Sequence, residues 1–216
     1  MSISENLGKI KQELPSSVTL IAVSKTKPKE FITEAYNAGQ RDFGENYVQE
    51  LTEKYEHLPQ DIRWHFIGHL QSNKVKYIAP FVHMIHGIDS FKLLKEINKE
   101  GKKNSRVINC LLQLFVAKEE TKFGLSFEEA EIILKSNELK ELENISIKGF
   151  MAMASNTDDE ELIREEFRSV KNFAAKYPTL TTLSYGMSSD LKIAISEGST
   201  MVRVGSSIFG ERNYAK

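Results

Sequence analysis

Apolar positions along the chain alternate between short continuous runs and stretches at helical spacing. Leu7, Ile10 and Leu14 predict an amino-terminal helix over about 4–14, which Pro15 stops ahead of a first strand at Thr19–Ser24. Pro28 opens the next helix, since its missing amide costs little in a first turn. Phe31, Ile32, Ala35 and Tyr36 give that helix a packed face, and Gly39 ends it. Arg41–Gly44 reads as a second strand running into a helix at Glu45–Leu51. The third and fourth strands are Arg63–Gly68 and Val82–Ile88, followed by helices at Asn73–Ile78 and from Asp89–Ser90 through Phe91, Leu94 and Ile97. A fifth strand at Val107–Leu112, extendable to Leu114, precedes a helix whose Ser126 and Glu129 have capping-box spacing. Ile145–Met151 is the sixth strand, with a long helix from about Asp158 to Lys176. Thr181–Ser184 is the seventh, with Ser188 as cap of a helix carrying Leu191, Ile193 and Ala194. Thr200–Val204 is the eighth.

Eight strand–helix alternations without a visible linker favour an α/β fold closed into a single-domain TIM barrel over residues 1–216. Ligands of such barrels sit where strands run into the following helices. An open, doubly wound sheet is the rival. Composition leaves this picture standing: 216 residues at 40% hydrophobic content suffice for a substantial core, and 29 Lys+Arg against 30 Asp+Glu create no field that draws in nucleic acid. Cys110, the only cysteine, excludes an internal disulfide and an all-cysteine metal site, and its apolar neighbours predict a buried thiol. No basic segment feeds an apolar run at the amino terminus, and no run reaches membrane-helix length. A cytoplasmic protein with neither membrane nor nucleic-acid partner is expected.

Lys25 falls at the carboxyl end of the first strand, on the ligand face. A lysine held near its amine form there attacks an aldehyde to give an imine; a solvated loop lysine is the plain alternative, and Lys27 and Lys29 read as surface charges. After the last strand, Gly205 lets a phosphate approach the backbone while Ser206 donates from amide and hydroxyl. Ser184–Asp190 adds a glycine turn and a helix start that also suit an anion. Arg203, between Val202 and Val204, forms either a structural ion pair or a donor to a cofactor nitrogen, which disfavours protonation of that nitrogen. Asn46 and Asn73 sit at strand exits, where they orient neighbouring groups. His65 and His69 lack the glutamate of a zinc-hydrolase helix, and His83 and His86 read as barrel-layer or loop residues. The chain contains no nucleophile-elbow serine and no nucleotide-binding glycine loop.

Six segments carry a resemblance. They are Ala22–Val23–Ser24–Lys25–Thr26–Lys27–Pro28, Phe43–Gly44–Glu45–Asn46–Tyr47–Val48–Gln49–Glu50, Trp64–His65–Phe66–Ile67–Gly68–His69–Leu70–Gln71–Ser72–Asn73–Lys74, Lys122–Phe123–Gly124–Leu125–Ser126, Ser184–Tyr185–Gly186–Met187–Ser188–Ser189–Asp190 and Val202–Arg203–Val204–Gly205–Ser206–Ser207–Ile208–Phe209–Gly210. Together they resemble the small pyridoxal phosphate homeostasis proteins over nearly the full chain. The resemblance implies a barrel like the amino-terminal part of alanine racemase, carrying pyridoxal 5′-phosphate (PLP) as a Schiff base on Lys25. It implies Ser188, Gly205 and Ser206 at the phosphate, Arg203 near the pyridine nitrogen, and Asn46 and His86 in the pocket. The implied role is vitamin B6 and amino/keto acid homeostasis, buffering PLP or delivering it to PLP-dependent enzymes without robust turnover, with amino acids as further ligands. Tyr185 stands where family members commonly have methionine, and Gly87 where serine is frequent; these departures are expected to alter cofactor packing and remove a hydroxyl near the mouth. A PLP-dependent amino-acid racemase is the enzyme alternative. It requires a second proton-transfer group opposite the lysine, which related racemases supply with a tyrosine and a second domain.

Overall fold

The computed structural model describes residues 2–119 and 123–211. Lys122, the first residue of one quoted segment, lies outside them. Eight strands pair in sequence order: β1 (Thr19–Val23), β2 (Asp42–Glu45), β3 (Arg63–Phe66), β4 (Met84–Ile88), β5 (Ile108–Leu114), β6 (Ile145–Ala152), β7 (Thr182–Ser184) and β8 (Met201–Val204). All are parallel, and β8 closes on β1 through pairs such as Leu20 with Val202 and Ala22 with Val204, which excludes the open sheet. Register shifts interrupt β4–β5 between Ile85 and Ile88 and β5–β6 between Cys110 and Leu111. Such irregularities bend a strand and let the wall curve.

Around the barrel lie α1 (Ile3–Glu13), α2 (Lys29–Asn37), α3 (Val48–His57), α4 (Val75–Ile78), α5 (Phe91–Lys103), α6 (Phe127–Lys135), α7 (Asn137–Lys140), α8 (Glu160–Ala174), α9 (Leu191–Ser196) and α10 (Ser206–Phe209). Capping boxes start α1 at Ser2 and Glu5 and α6 at Ser126 and Glu129, satisfying amides that a first turn leaves unpaired. Two expected starts shift. Helix α3 begins at Val48 because Glu45 is still pairing with Phe66, and α9 begins at Leu191 after Asp190. Ser188 is therefore not the α9 cap, and its hydroxyl is left for the mouth of the barrel. The one-turn α7, capped by Ser136, has no apolar repeat to reveal it.

Both faces of the sheet are covered, which is why its strands read as nearly continuous apolar runs. Inside the barrel, Ile21, Met84, Leu111, Met151 and Met201 pack together; outside it, Phe43, Trp64, Leu94, Phe150, Phe167 and Val202 belong to the layer beneath the helices. Each fully buried side chain of this size contributes about 1.5–3 kcal/mol by leaving water. Cys110 is fully buried in that layer, and burial pushes its thiol far up, consistent with a space-filling role. Among the described residues, no helix is long and apolar enough to cross a membrane.

Candidate functional site

A cavity of about 310 Å³ opens at the carboxyl ends of the strands. Its wall brings together Lys25 after β1, Asn46 after β2, Ser188 between β7 and α9, Arg203 on β8, and Gly205 and Ser206 at the start of α10. Parallel pairing produces this convergence, because every strand then ends at the same rim. The hydroxyls of Ser188 and Ser206 come within 3.2 Å of each other. The Gly186–Ser189 turn is held by Asp190, whose carboxylate accepts from the Met187 amide. Asn46 Oδ1 is buried with no hydrogen-bond partner, so a polar atom in the wall is left for a ligand to satisfy.

Arg203 is almost fully buried. Its Nη1 donates to the Ser184 carbonyl at 2.7 Å and to Ser184 Oγ at 2.8 Å, and its Nη2 donates to the Ala152 carbonyl at 3.0 Å. Burial lowers its pKa to about 10, leaving it a cation at neutral pH. Three of its five N–H donors are thus used by the wall.

His86 does not line the cavity. It is fully buried behind Ser184, with Nδ1 3.0 Å from Ser184 Oγ and Nε2 2.9 Å from His65 Nδ1. His65 Nε2 lies 3.1 Å from Asp42 Oδ1, and Asp42 receives a two-pronged contact from Arg63. Burial lowers the pKa of both histidines, so both are neutral. Burial pushes Asp42 up, but hydrogen bonds from His65 and Arg63 outweigh it and hold the carboxyl well below its usual range. A carboxylate only accepts, so His65 must carry its proton on Nε2 and accept at Nδ1. His86 therefore donates from Nε2 and accepts at Nδ1 from the Ser184 hydroxyl. Hydrogen bonds run in one direction through the barrel, from the Arg203 cation to the Asp42 anion.

Lys27 lines the cavity, and its Nζ donates to the carbonyls of Phe209, Gly210 and Glu211, so it is more than a surface charge. Met187 and Ser189, from the Ser184–Asp190 segment, also contribute to the wall, as does Met153, which no motif marks. Tyr185 points away from the mouth, stacking on Phe167 at 4.7 Å and donating to the Glu197 carbonyl. At Gly87, a side chain would meet the Gly68 carbonyl oxygen at 2.7 Å, so backbone occupies the place a serine would take. His69 stacks on Phe123 and faces Asp89, and Asn73 lies in a 3-10 turn outside the cavity wall.

Fold and site together define a (β/α)₈-barrel ligand-binding protein with its site at the carboxyl rim. Residues 1–213 match the alanine racemase N-terminal domain family. The chain is 40% identical to the pyridoxal phosphate homeostasis protein of Vibrio alginolyticus, over 93% of this chain and 89% of that one. It is 36% identical to the protein of that name in Escherichia coli K12, over 99% and 98%. This chain belongs to the pyridoxal phosphate homeostasis protein family. PipY of Synechococcus elongatus PCC7942, solved without PLP, superposes with a TM-score of 0.90 at 37% identity over 97% of this chain and 100% of that one. The same protein solved with PLP bound gives 0.88 at 36% identity and the same coverage. Alanine racemase of Clostridium difficile 630 superposes with a TM-score of 0.81 at 14% identity, a likeness of fold, and the chain covers 99% of itself but 58% of the racemase.

Proposed function

We propose that this chain binds PLP at the carboxyl rim of its barrel, covalently through Lys25, and serves vitamin B6 and amino/keto acid homeostasis by holding the cofactor and releasing it to PLP-dependent enzymes. The observation that carries the proposal is the convergence of Lys25, Arg203, the Ser188–Ser206 hydroxyl pair and the orphaned Asn46 Oδ1 on one cavity. Its volume is at the small end of the range for cofactor sites. Bound there, PLP supplies an aldehyde that condenses with a primary amine and a phosphate that anchors the ring. Ser188, Ser206 and the backbone at Gly205 would hold the phosphate, Arg203 would donate to the ring nitrogen, and Asn46 would meet a polar substituent. His86 would act behind Arg203 rather than on the cofactor.

Two features support holding over turnover. A guanidinium at the ring nitrogen opposes its protonation and weakens electron withdrawal. Among the described residues, the titratable groups in the wall are Lys25, Lys27 and Arg203, so the described wall offers no tyrosine, histidine or carboxylate to deliver a proton opposite Lys25. Residues 1–216 would act as one cofactor-binding domain in the cytoplasm, in keeping with a lone buried thiol. Reconstitution with PLP, borohydride reduction and peptide mass spectrometry test it. A pyridoxyl group on Lys25, with transfer of unreduced PLP to an apo-enzyme and no racemisation of amino acids, is expected. Labelling confined to other lysines, or efficient racemisation, overturns it.

A further inference from the structure

The turn that carries Lys25 is held in an unfavourable conformation by a charge cluster whose Glu45 and Lys54 are buried and whose Glu50 is partly exposed. The Lys27 amide donates to the Ser24 carbonyl at 3.0 Å, closing a β-turn with Lys25 second and Thr26 third. Thr26 has φ +64°, and glycine is the usual choice at such a position because a β-branched side chain crowds the backbone there. On its own the chain would leave this conformation by a factor on the order of tenfold.

Helix α3 supplies the restraint. Glu50 Oε1 accepts from the Thr26 amide at 2.6 Å, fixing the strained residue directly. Lys54 Nζ donates to the Ser24 carbonyl at 2.8 Å, to Glu45 Oε1 at 2.7 Å and to Glu50 Oε1 at 2.6 Å, using all three ammonium hydrogens. Ser24 Oγ donates to Glu45 Oε1 at 2.6 Å, and the Ser24 amide donates to the Gly44 carbonyl. On the far side, Lys27 is tied to the carbonyls that end α10. Every residue flanking Lys25 is therefore fixed, while Lys25 itself lines the cavity.

Stability alone does not account for this construction. Glu45 is fully buried and Lys54 nearly so, and removing such a pair from water consumes most of what its attraction returns. A glycine at position 26 would hold the same turn without restraint. A strained residue kept in place by an expensive ion cluster beside a site residue is the pattern of a built-in positioning device.

We propose that Glu50 and Lys54 are positioning residues for Lys25, holding its turn against the preference of Thr26 so that the amine stands in the cavity where an aldehyde arrives. This rests on the reading of Lys25 as the point of PLP attachment. The test uses the full chain and PLP as probe, following the rate of pyridoxyl–lysine absorbance, the melting temperature and hydrogen exchange at the residue-26 amide. In E50A, attachment is expected to slow by about tenfold and amide exchange to accelerate by a similar factor, the amount by which the turn is otherwise disfavoured. T26G alone attaches PLP near the wild-type rate. The double variant T26G/E50A recovers the rate, because glycine needs no restraint. K54M slows attachment, and K54R restores part of it.

A merely structural role predicts that T26G restores melting temperature and leaves the rate low, which overturns the proposal. So does wild-type attachment and exchange in a folded E50A. Where E50A does not fold, the rate of T26G/E50A decides. Failure of the wild-type chain to take up PLP overturns the functional reading instead, and amide exchange in E50A still reports whether Glu50 holds the turn.

Discussion

Replacing His86 with leucine isolates the charge state of the hydrogen-bonded column behind Arg203. At pH 7, H86L leaves the Ser184 hydroxyl and His65 Nδ1 without their partner, each orphan costing about 1–3 kcal/mol. Acidification changes this difference in a definite direction. An unfolded histidine titrates near 6.5, whereas burial, aided by the nearby His65 and Arg203, holds folded His86 neutral well below that value. A depressed base contributes stability that is present above the unfolded pKa and lost as pH falls toward the folded one. Between pH 7 and pH 5 the wild type therefore loses up to about 2 kcal/mol on account of His86, the most that an unfolded pKa near 6.5 allows and a loss that H86L cannot suffer. His65 titrates in both proteins and cancels to first order. Urea unfolding at constant salt should show the stability gap between wild type and H86L narrowing, by up to about 2 kcal/mol, from pH 7 to pH 5. A gap that is unchanged or wider refutes the neutral column and the proton placement derived from it.

Lys25→Ala should abolish borohydride-trapped pyridoxyl at that position while changing stability by no more than about 1 kcal/mol, because the side chain is only partly buried; calorimetry and peptide mass spectrometry check both. Gly87→Ser should destabilise this chain by roughly 1–3 kcal/mol, since its Cβ would meet the Gly68 carbonyl, and equal denaturation midpoints would show that the backbone yields freely. Burial pushes Glu45 up, to about 7, against the pull of Lys54. A raised acid contributes stability that is present at low pH and lost as pH rises through the folded value. Relative to Glu45→Gln, the wild type should therefore lose up to about 3 kcal/mol between pH 4.5 and pH 8, measured by urea titration. A flat difference would mean that Lys54 keeps Glu45 ionised throughout.

The alternation of runs and helical stretches made the barrel legible because parallel strands covered on both faces need apolar residues at nearly every position. Capping boxes at Ser126 and a proline-led start before α2 were equally legible, being local chemistry. The α9 start was not, because Ser188 and Asp190 are both good local caps and only the path of the loop chooses. Lys25, Arg203, Gly205 and Ser206 were legible as candidates because strand ends predict the rim, whereas Ser188 read as a helix cap and entered the phosphate site through the family resemblance. Lys27 looked like any loop lysine until α10 brought three carbonyls to its amine.

Sequence by itself determined the element order, the residues able to attack a carbonyl or hold an anion, and the family. Which of them meet was decided by closure of β8 on β1, which sets Arg203 and Gly205 beside the end of the first strand. The tertiary structure alone moved His86 off the cavity wall, turned Tyr185 outward, and placed Glu50 and Lys54 against the Lys25 turn. The physical reason is that these outcomes depend on contacts between positions some 20 to 100 residues apart, such as Thr26 with Glu50 and His86 with Ser184. Hydrophobic period and capping preference act within a few residues and carry no information about such contacts.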